Sequence, residues 1–537
     1  MTLPVTSTSF PATRHEILYG SRVVRCFADR PPTIDAVFRE AVARAPDRDA
    51  LLLDDVRVTY SELDRRVTAI ASNLLARGLE PGDRVALLLG NGFAFVETVL
   101  ATARAGLIAV PMNIRQRRPE IEFVLNQSQA AALVCDAEHD VNLPDCAETP
   151  SLRHVFMVGG LEGATYEILK QDAPPREFPQ VEPESAFCLL YTSGTTGKPK
   201  GAILTHLGTV HSLIHYQHGF DLSEGEISVL AVPASHVTGL VAIILTMIRV
   251  AGTTVLMPAF KARRFLEIAS ATRMSYTLIV PAMYNLCLLD PDFAAFDLSR
   301  WRMAGFGGAP MPAATVERLA QAVPNMVLVN CYGSTETTSP ATLLPLGDIR
   351  SHPKSVGVPL PCADIVVMGE DGREVPPGES GEILIGGPMV VPGYWNNADA
   401  DRTGFLGGYW VSGDIGSKDT EGYVHVFDRK KDMINRAGFK IYCIEVENVL
   451  SHHPSVVETA VIGKPDPVLG ERVHAFIYNE GRPTDAADIR AYCAERLSDY
   501  KVPDAFTFVA DPLPRNANGK ILKTSLRDLL PNGIERP

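Results

Sequence analysis

One stretch of the chain has the residue types that bind phosphate groups. The segment YTSGTTGKPKG runs from Tyr191 to Gly201. Its glycines allow backbone N–H groups to approach a ligand closely, and its hydroxyls and lysines add hydrogen-bond donors and positive charge. A flexible surface turn is the alternative interpretation of such a cluster. The two lysines, and the apolar run 187–190 that leads into the segment, favour phosphate binding.

The spacing excludes the Walker A phosphate loop, whose pattern is GxxxxGK[ST]. Only two residues separate Gly194 from Gly197, where the Walker pattern has four. Lys198 is followed by Pro199, which supplies neither a hydroxyl for Mg²⁺ nor a backbone N–H. The segment is therefore expected to bind phosphate in a different way from P-loop kinases and ATPases.

Further motifs follow this segment along the chain. In order they are YGSTE (332–336), YWVSGD (409–414), DRKKD (428–432) and PRNANGK (514–520). Together with the first segment, they resemble the motifs of the adenylate-forming superfamily of acyl-CoA synthetases, peptide-synthetase adenylation domains and luciferases. The resemblance covers nearly the whole chain, which is most like a fatty-acid or aryl-acid CoA ligase.

The resemblance implies an ATP-dependent ligation of an acid to a thiol, with ATP, Mg²⁺ and coenzyme A (CoA) as cofactors. A carboxylate attacks the α-phosphorus of MgATP and forms an acyl adenylate and pyrophosphate, and the thiol of CoA then displaces AMP. The first step brings two anions together. At about 4 Å, like charges repel by about 1 kcal/mol in water and about 4 kcal/mol at an effective dielectric constant of about 20. Positioning and cationic groups are therefore expected to dominate catalysis.

The resemblance also assigns nucleotide-binding roles to individual residues. Tyr332 would lie against adenine, Thr335 would contact the α-phosphate, and Glu336 would bind Mg²⁺ as a hard oxygen ligand. Asp414 would accept hydrogen bonds from the ribose, and Arg429 would reach the ribose or a phosphate. The phosphate loop would consist of Thr192, Ser193, Gly194, Thr195, Thr196, Gly197 and Lys198. Without the resemblance, Tyr332 could equally be a core tyrosine and Glu336 a solvated glutamate. The segment around Asp414 could be a turn, and the segment around Arg429 a surface run of charges.

Lys520 receives the central catalytic role from the same resemblance. It would bridge the carboxylate and the α-phosphate, where an ammonium group offsets the repulsion between them; the alternative is an exposed C-terminal lysine. The family rotates its small C-terminal domain between the two half-reactions, and Lys431 stands at the hinge position. Gly438, within the segment 437–440, would line the pantetheine tunnel. The family often has Gly-Gly at 437–438 and proline at the position of Cys443.

Three segments are expected to surround the acid. The segment ASHVTG (234–239) matches a family element beside the acyl pocket, in which His236 is either a gate or a core histidine. Gly305, Phe306 and Gly307 would form a second wall, and residues 338–341 a third. Peptide-synthetase relatives tend to carry Phe-Asp at the first element, and its absence argues against an amino-acid substrate. Because these segments carry no fixed charge, the predicted substrate is an apolar monocarboxylate, either a medium- or long-chain fatty acid or an aryl acid.

Three functions remain open at this point. The first is an acyl-CoA synthetase, and the second is a stand-alone adenylation enzyme that loads a carrier-protein phosphopantetheine. The third is a nucleotide-binding module without catalysis, and the presence of Lys520, Glu336 and the loop lysines argues against it. Because no carrier domain follows residue 537, free CoA is the expected acceptor.

Composition limits the partners of the chain. It has 50 Lys and Arg against 63 Asp and Glu, and this net charge of −13 argues against nucleic acids and anionic membranes as partners. Nine cysteines without a CxxC pair are typical of free thiols in a reducing cytoplasm. The N-terminus lacks a secretory pattern, and the most apolar stretch, Gly239–Ile248, is too short for a transmembrane segment and is expected to form a buried helix. A cytoplasmic enzyme is predicted, with assembly as a homo-oligomer left open.

The elements that must position these residues change along the chain. In the first half, helical patterns alternate with the apolar runs 85–89, 131–135, 228–232, 255–257 and 326–329, which predicts α/β architecture with largely parallel sheets. Thr59 and Glu62 predict a helix start, and Gly78 its end. We expect a large N-terminal domain (1–428) of two α/β subdomains and a β-rich subdomain. A small mobile α+β C-terminal domain (429–537) would carry the hinge and the catalytic lysine.

Overall fold

The computed structural model describes residues 10–159, 165–173, 176–192, 199–515 and 521–530. Its helices in these residues are α1 (Ile34–Arg44), α2 (Tyr60–Ala76), α3 (Phe93–Ala105), α4 (Arg118–Ser128), α5 (His206–Gly219), α6 (Thr246–Arg249), α7 (Ala262–Ala271), α8 (Pro281–Leu288), α9 (Ala313–Ala322), α10 (Ala398–Gly404), α11 (Cys443–Ser451), α12 (Ala486–Ala494) and α13 (Lys523–Asp528).

The strands in the first part of the chain are β1 (Thr13–Leu18), β2 (Arg22–Phe27), β3 (Asp49–Leu53), β4 (Val56–Thr59), β5 (Arg84–Leu88), β6 (Ile108–Pro111), β7 (Ala130–Asp136), β8 (His154–Val158), β9 (Ala186–Thr192), β10 (Lys200–Thr205), β11 (Ile227–Leu230), β12 (Thr253–Leu256), β13 (Tyr276–Ile279), β14 (Met303–Gly307) and β15 (Val327–Tyr332). Those that follow are β16 (Thr342–Leu343), β17 (Val358–Pro359), β18 (Asp364–Met368), β19 (Gly381–Gly386), β20 (Phe405–Leu406), β21 (Tyr409–Lys418), β22 (Val424–Arg429), β23 (Ile434–Arg436), β24 (Phe439–Ile441), β25 (Glu458–Asp466), β26 (Gly470–Tyr478) and β27 (Ala505–Val509).

Internal contacts divide the chain into two compact units. The large unit comprises Met1–Val366, Leu384–Val411 and Glu421–Val424, and the small unit comprises Val367–Ile383, Ser412–Thr420 and His425–Pro537. The domain boundary between residues 428 and 429 stays a prediction from the sequence motifs.

Two α/β sheets form the framework of the large unit. One has nine strands in the order β17-β16-β15-β14-β13-β11-β12-β3-β4, and the other has six in the order β10-β9-β6-β5-β7-β8. The inner strands pair in parallel, whereas β4, β10, β16 and β17 pair antiparallel at the edges. Inner strands such as β6, β12 and β13 are buried along their whole length, as expected for parallel strands covered by helices on both faces. The predicted mixed α/β fold is confirmed.

Helix α2 illustrates how the sequence specifies these elements. The side chain of Thr59 accepts a hydrogen bond from the N–H of Glu62 at the helix start. Gly78, with φ +82°, follows the end of the helix in the left-handed region that favours glycine. The predicted apolar face, which includes Leu63, Val67, Ile70 and Leu74, is completely buried. Each such side chain contributes about 1.5–3 kcal/mol through its removal from water.

The apolar stretch 239–248 is buried, as predicted, but it is not a regular α-helix. Residues Thr238–Leu245 form a π-helical segment that continues into α6. The hydroxyl of Thr246 donates to the carbonyl of Val241 at 2.8 Å. Among the described residues, no helix combines the length and apolar character needed to cross a membrane.

Smaller sheets complete the fold. A five-stranded sheet has the order β18-β19-β21-β20, with β22 beside β21, and corresponds to the predicted β-rich part. In the small unit, β24-β23-β26-β25 form an antiparallel sheet to which β27 adds in parallel. Its core joins apolar residues of the sheet to those of α11 and α12, among them Ile434, Ile441, Val446, Leu450, Val461, Ile477 and Ile489. A separate two-stranded hairpin, β1–β2, lies at the start of the described chain.

Candidate active site

A buried carboxylate lies just beyond the end of β15. Glu336 is 6% exposed, and three hydroxyl groups donate hydrogen bonds to it. Its Oε1 accepts from Tyr394 at 3.0 Å and from Thr192 at 3.3 Å. Its Oε2 accepts from Ser334 at 2.6 Å. The fold therefore brings two donors from distant parts of the large unit, Thr192 and Tyr394, to an acidic group that the neighbouring Ser334 also contacts.

The surroundings of Glu336 fit a divalent cation. Within the described part of the chain, no lysine, arginine or histidine forms an ion pair with this carboxylate. An ionised carboxylate that is buried without a positive charge is unfavourable, and a hard cation such as Mg²⁺ with oxygen ligands offsets that cost. Glu336 would hold the cation, and Tyr394, Ser334 and Thr192 would orient the carboxylate through its hydrogen bonds.

The YGSTE motif forms a compact turn. Tyr332 is the last residue of β15 and is half-buried, and the N–H of Ser334 donates to the hydroxyl of Thr337 at 2.9 Å. Thr335 is 8% exposed and lies in the same turn as Glu336. The structure thus brings Tyr332, Thr335 and Glu336 together at one end of a strand, and their roles stay predictions.

The phosphate-loop segment connects the two strands of a hairpin. Thr192 at the end of β9 is paired with Lys200 at the start of β10, and Gly201 faces Tyr191. A Cβ on Gly201 would lie 3.1 Å from the ring of Tyr191, so a larger residue would have to displace this aromatic side chain. Thr192, the first residue of the predicted loop, contacts the Glu336 carboxylate. The rest of the predicted loop lies outside the described residues, namely Ser193, Gly194, Thr195, Thr196, Gly197 and Lys198.

The predicted acyl walls at 234–239 and 305–307 include a histidine and closely packed apolar residues. The Nδ1 of His236 accepts from the backbone N–H of Thr238 at 3.4 Å, and burial lowers the pKa of this histidine below its usual value. A Cβ on Gly305 would lie 2.8 Å from the ring of Phe220. Phe306 is 2% exposed and belongs to the hydrophobic core. A neutral imidazole and apolar neighbours are consistent with an uncharged acyl group, and the pocket roles of these residues stay predictions.

The other predicted wall residues, Gly307, Thr338 and Ser339, contact neighbouring groups of the large unit. A Cβ on Gly307 would lie 2.6 Å from the carbonyl oxygen of Cys331. Thr338 donates to the carbonyl of Met389 at 2.8 Å. The hydroxyls of Ser339 and Tyr216 lie 2.9 Å apart. The hydroxyls of Thr338 and Ser339 therefore have hydrogen-bond partners in the protein, and neither side chain adds charge to this region.

In the small unit, two residues predicted to bind the nucleotide form an ion pair. The Nε of Arg429 lies 2.9 Å from the Oδ1 of Asp414, which is 5% exposed. Arg429 also donates to the carbonyl of Ser412 at 3.0 Å. The hydroxyl of Ser412 accepts from the N–H of Asp414 at 3.0 Å and donates to the carbonyl of Ile383 at 2.6 Å. Asp414 is thus oriented before any ligand is bound.

The predicted hinge and tunnel residues lie in turns of the small unit. Lys431 is exposed, in a turn where the N–H of Asp432 donates to the carbonyl of Arg429 at 2.9 Å. Gly438 has φ +90° between β23 and β24, and its N–H donates to the side chain of Asn435 at 3.1 Å. Their roles stay predictions. The predicted catalytic residue Lys520 lies outside the described residues.

Cys443, which stands where the family often has proline, has a local structural role. Its backbone N–H donates to the buried carboxylate of Asp428, and its thiol donates to the carbonyl of Asp432 at 2.9 Å. A proline could not supply this N–H. The departure from the family pattern is therefore accommodated by a hydrogen bond that begins helix α11.

Sequence reasoning missed Tyr394. This residue is 7% exposed, donates to Glu336, and lies with its ring centroid 5.3 Å from the Nζ of Lys200. The available signal was an aromatic residue in the proline- and glycine-rich segment VPGYW (391–395). That pattern indicates a turn, but it does not identify a carboxylate partner 58 residues away in the sequence.

The sequence of the chain is similar to those of known proteins. A family described as "AMP-binding enzyme" matches residues 38–395, and the "AMP-binding enzyme C-terminal domain" matches residues 445–520. A feruloyl-CoA synthase of an Amycolatopsis species is 37% identical over 90% of this chain and 96% of its own length. A long-chain-fatty-acid–CoA ligase of Mycobacterium tuberculosis is 34% identical over 88% of this chain and 93% of its own.

Solved structures show the same similarity in three dimensions. The o-succinylbenzoate CoA synthetase of Bacillus subtilis, in complex with its acyl-adenylate intermediate, has a TM-score of 0.83 and 30% identity, over 93% of this chain and 99% of its own. The same enzyme in complex with ATP and magnesium has a TM-score of 0.82 at 30% identity, over 93% of this chain and 100% of its own.

Proposed function

This chain belongs to the AMP-binding enzyme family, and from that premise we propose that it converts an apolar monocarboxylic acid into its CoA thioester. It is an AMP-forming acid–thiol ligase that uses ATP, Mg²⁺ and CoA. In the first half-reaction, a bond forms between the substrate carboxylate and the α-phosphorus while the bond to pyrophosphate breaks. In the second, the thiol of CoA takes the acyl group and AMP leaves.

The observation that carries this proposal is the environment of Glu336. The carboxylate is buried, it accepts hydrogen bonds from three hydroxyls, and it lies beside the end of the strand that leads into the phosphate-loop motif. A purely structural glutamate at such a site would be expected to pair with a lysine or arginine. Among the described residues none does so, which supports a role in binding metal-complexed phosphate.

The chain's own residues orient the anions of the first step. We assign contact with the α-phosphate to Thr335 and the ribose hydroxyls to Asp414. Bound Mg²⁺ supplies positive charge next to the phosphate oxygens. Lys520 is proposed to lie between the substrate carboxylate and the α-phosphate, where its ammonium group offsets their repulsion as the new bond forms.

The identity of the acid is proposed at the level of its chemical class. The pKa of His236 is lowered by burial, so its imidazole is neutral at pH 7 and contributes no charge to recognition. The named relatives act on an aryl acid, ferulate, and on long-chain fatty acids. Both kinds of acid carry one carboxylate and an otherwise uncharged, largely apolar body, which supports the proposed substrate class.

CoA is the proposed acceptor, and a carrier-protein phosphopantetheine is the alternative. Both present the same thiol on the same flexible arm, so a comparison of free CoA with a phosphopantetheinylated carrier protein separates them. Cytoplasmic location and assembly as a homo-oligomer stay predictions.

A panel of carboxylic acids tests the function directly. Ferulate, benzoate, octanoate and palmitate are each supplied with MgATP, and release of pyrophosphate is measured with and without CoA. We expect acid-dependent release that turns over rapidly only when CoA is present, with formation of the corresponding thioester. Glycine and phenylalanine serve as charged-amine controls and are expected to be inactive. Failure of every apolar acid to elicit pyrophosphate release would contradict the proposal.

A further inference from the structure

The hairpin β1–β2 lies outside the residues that match the AMP-binding family, which begin at residue 38. One of its side chains nevertheless reaches toward the candidate active site. The guanidinium of Arg22 donates to the carbonyl of Val391 at 3.2 Å and to that of Pro392 at 2.9 Å. It also lies over two aromatic rings, 5.3 Å from the centroid of Tyr19 and 5.9 Å from that of Phe405.

The segment that Arg22 holds, residues 391–395, connects directly to Glu336. The backbone N–H of Val391 donates to the Glu336 carbonyl at 2.9 Å, and the Tyr394 hydroxyl donates to the Glu336 carboxylate at 3.0 Å. The same segment is fixed to strand β10, because the N–H of Trp395 donates to the carbonyl of Gly201 at 2.7 Å. Segment 391–395 therefore joins the metal-site candidate to the hairpin that carries the phosphate-loop motif.

Arg22 forms strong hydrogen bonds because its guanidinium is charged and planar. Charged donors form hydrogen bonds about twice as strong as neutral ones, and a planar guanidinium can hold two carbonyls in a fixed relation. Burial lowers the pKa of Arg22, and the carbonyls of Val391 and Pro392 accept hydrogen bonds from this partly desolvated cation.

Tyr394 is itself held on both sides. Its backbone N–H donates to Asp401 at 2.7 Å, and its ring packs against Phe405, with the centroids 5.6 Å apart. A Cβ on the preceding Gly393 would lie 2.8 Å from the Asp401 carboxylate, so glycine is needed for this approach. The hydroxyl of Tyr394 consequently has little freedom to leave the Glu336 carboxylate.

We propose that Tyr394 and Arg22 are positioning residues for the metal-binding carboxylate, Tyr394 by direct hydrogen bonding to Glu336 and Arg22 by fixing segment 391–395. The N-terminal hairpin thereby sets the metal affinity of the active site. This inference rests on the proposed function, in which Glu336 binds the metal. Hydrogen bonds to a ligating carboxylate restrict its orientation, and removal of such a partner typically weakens metal binding by about 10- to 100-fold.

The test uses Mn²⁺ as a probe for the metal site. Electron paramagnetic resonance measures free Mn²⁺ in mixtures of the full chain with a non-hydrolysable ATP analogue, which gives the Kd of bound Mn²⁺ without catalysis. Tyr394→Phe removes only the hydroxyl and is expected to raise this Kd about tenfold. The matched control is Tyr423→Phe, which removes a hydroxyl bound to Asp348 and should leave the Kd unchanged.

Arg22 is tested in the same assay. Arg22→Met is expected to raise the Kd for Mn²⁺ about threefold. This effect is smaller than that of Tyr394→Phe because Arg22 influences Glu336 only through the backbone of segment 391–395. Arg22→Lys, which keeps the charge but cannot hold both carbonyls in the same geometry, should lie between this variant and the wild type. The control is Arg25→Met on the same strand, where the side chain is exposed and no change is expected.

A double-mutant comparison separates positioning from a general loss of structure. In a Glu336→Gln background, Tyr394→Phe should change the Kd for Mn²⁺ by less than about twofold, since the group it positions is already altered. Thiolysis of supplied acyl adenylate, which does not require the metal site, should stay near the wild-type rate in both Tyr394→Phe and Arg22→Lys. An unchanged Kd for Mn²⁺ in Tyr394→Phe, an equal loss in the Glu336→Gln background, or parallel loss of metal binding and thiolysis would overturn the inference. If the wild type binds Mn²⁺ with the ATP analogue and responds to these substitutions but no acid elicits pyrophosphate release, the proposed function fails while the positioning role stands.

Discussion

The side chains of Arg429 and Asp414 form an ion pair, with the arginine Nε 2.9 Å from the aspartate Oδ1. The two residues come from different sequence motifs, and each is predicted to contact the nucleotide. In the structure the arginine also donates to the carbonyl of Ser412, two residues before the aspartate. The pair therefore orients Asp414 in advance, and in its predicted ribose-binding role less conformational freedom would be lost on binding.

Asp414→Asn should impair recognition of ATP specifically. The amide keeps the size of the side chain but loses the charge that accepts from ribose hydroxyls and pairs with Arg429. We expect the KM for ATP to rise about tenfold, with the KM for the acid within about twofold of wild type. Glu382→Gln is the control, because it breaks the neighbouring ion pair with Lys430 in the same unit. An equal rise in both KM values for Asp414→Asn would contradict a ribose-binding role.

Glu336→Gln should change the dependence on Mg²⁺. The amide can still hydrogen bond, but it no longer offers a charged oxygen to the metal. At fixed ATP, the concentration of Mg²⁺ that gives half-maximal adenylation is expected to rise about tenfold or more. Glu317→Gln, an exposed glutamate on α9, is the matched control. The assignment would be wrong if the half-maximal Mg²⁺ concentration stayed the same.

Lys431→Pro is expected to slow thiolysis more than adenylation. Proline fixes one backbone dihedral at the predicted hinge and restricts the residue before it, so rotation of the small domain between half-reactions should become slower. Single-turnover measurements of acyl adenylate formation and of its reaction with CoA separate the two rates. Lys431→Ala leaves the backbone free and should preserve both. Unchanged rates in the proline variant would remove the hinge assignment.

The stability of the large unit should fall in mild acid because of buried histidines on α5. The Nε2 of His211 accepts from the N–H of Phe27 at 3.2 Å, so its Nδ1 donates to the carbonyl of Leu207 at 2.9 Å and the ring is neutral. Burial, with a smaller contribution from Arg30, lowers the pKa of His211 from 6.5 to about 4. As the pH falls below 6.5, the unfolded chain binds a proton that the folded chain does not bind until near pH 4, so stability is lost across this window.

His211→Gln should remove this part of the pH dependence. Between pH 7 and pH 5, we expect the loss in free energy of unfolding to be smaller in the variant than in the wild type by about 2 kcal/mol. Urea denaturation at the two pH values provides the measurement. His452→Gln, which alters an exposed histidine, should leave the difference as in the wild type. The same pH dependence in His211→Gln and wild type would contradict the assignment.

Local signals predicted much of the fold. The ends of α2 could be predicted from Thr59, Glu62 and Gly78. Helix capping and the left-handed backbone of a glycine after a helix depend on residues close in the sequence. The stretch 239–248 was correctly predicted to be buried, but its π-helical turn was missed. Apolar residues on every side indicate burial without specifying the hydrogen-bond register of the backbone.

The motifs predict individual site residues, but they do not predict the contacts around them. The roles of Glu336, Asp414 and Arg429 stay predictions from the motifs, whereas the hydrogen bond from Tyr394 to Glu336 and those from Arg22 to Val391 and Pro392 went unrecognised. These contacts join residues separated by 58, 369 and 370 positions. Such pairings depend on how the sheets assemble, and neither hydrophobic periodicity nor turn composition carries that information.

Lys520 is predicted to act in adenylation and not in thiolysis, and the rates of these two half-reactions can be measured separately. In Lys520→Ala, the rate of acyl adenylate formation from acid and MgATP is expected to fall about 100-fold or more, because the charge that offsets repulsion between the anions is lost. Thiolysis of supplied acyl adenylate by CoA should stay within about twofold of wild type, and Lys464→Ala, elsewhere on the small unit, should preserve both rates. Adenylate formation at the wild-type rate in Lys520→Ala, or an equal fall in both half-reactions, would contradict the account.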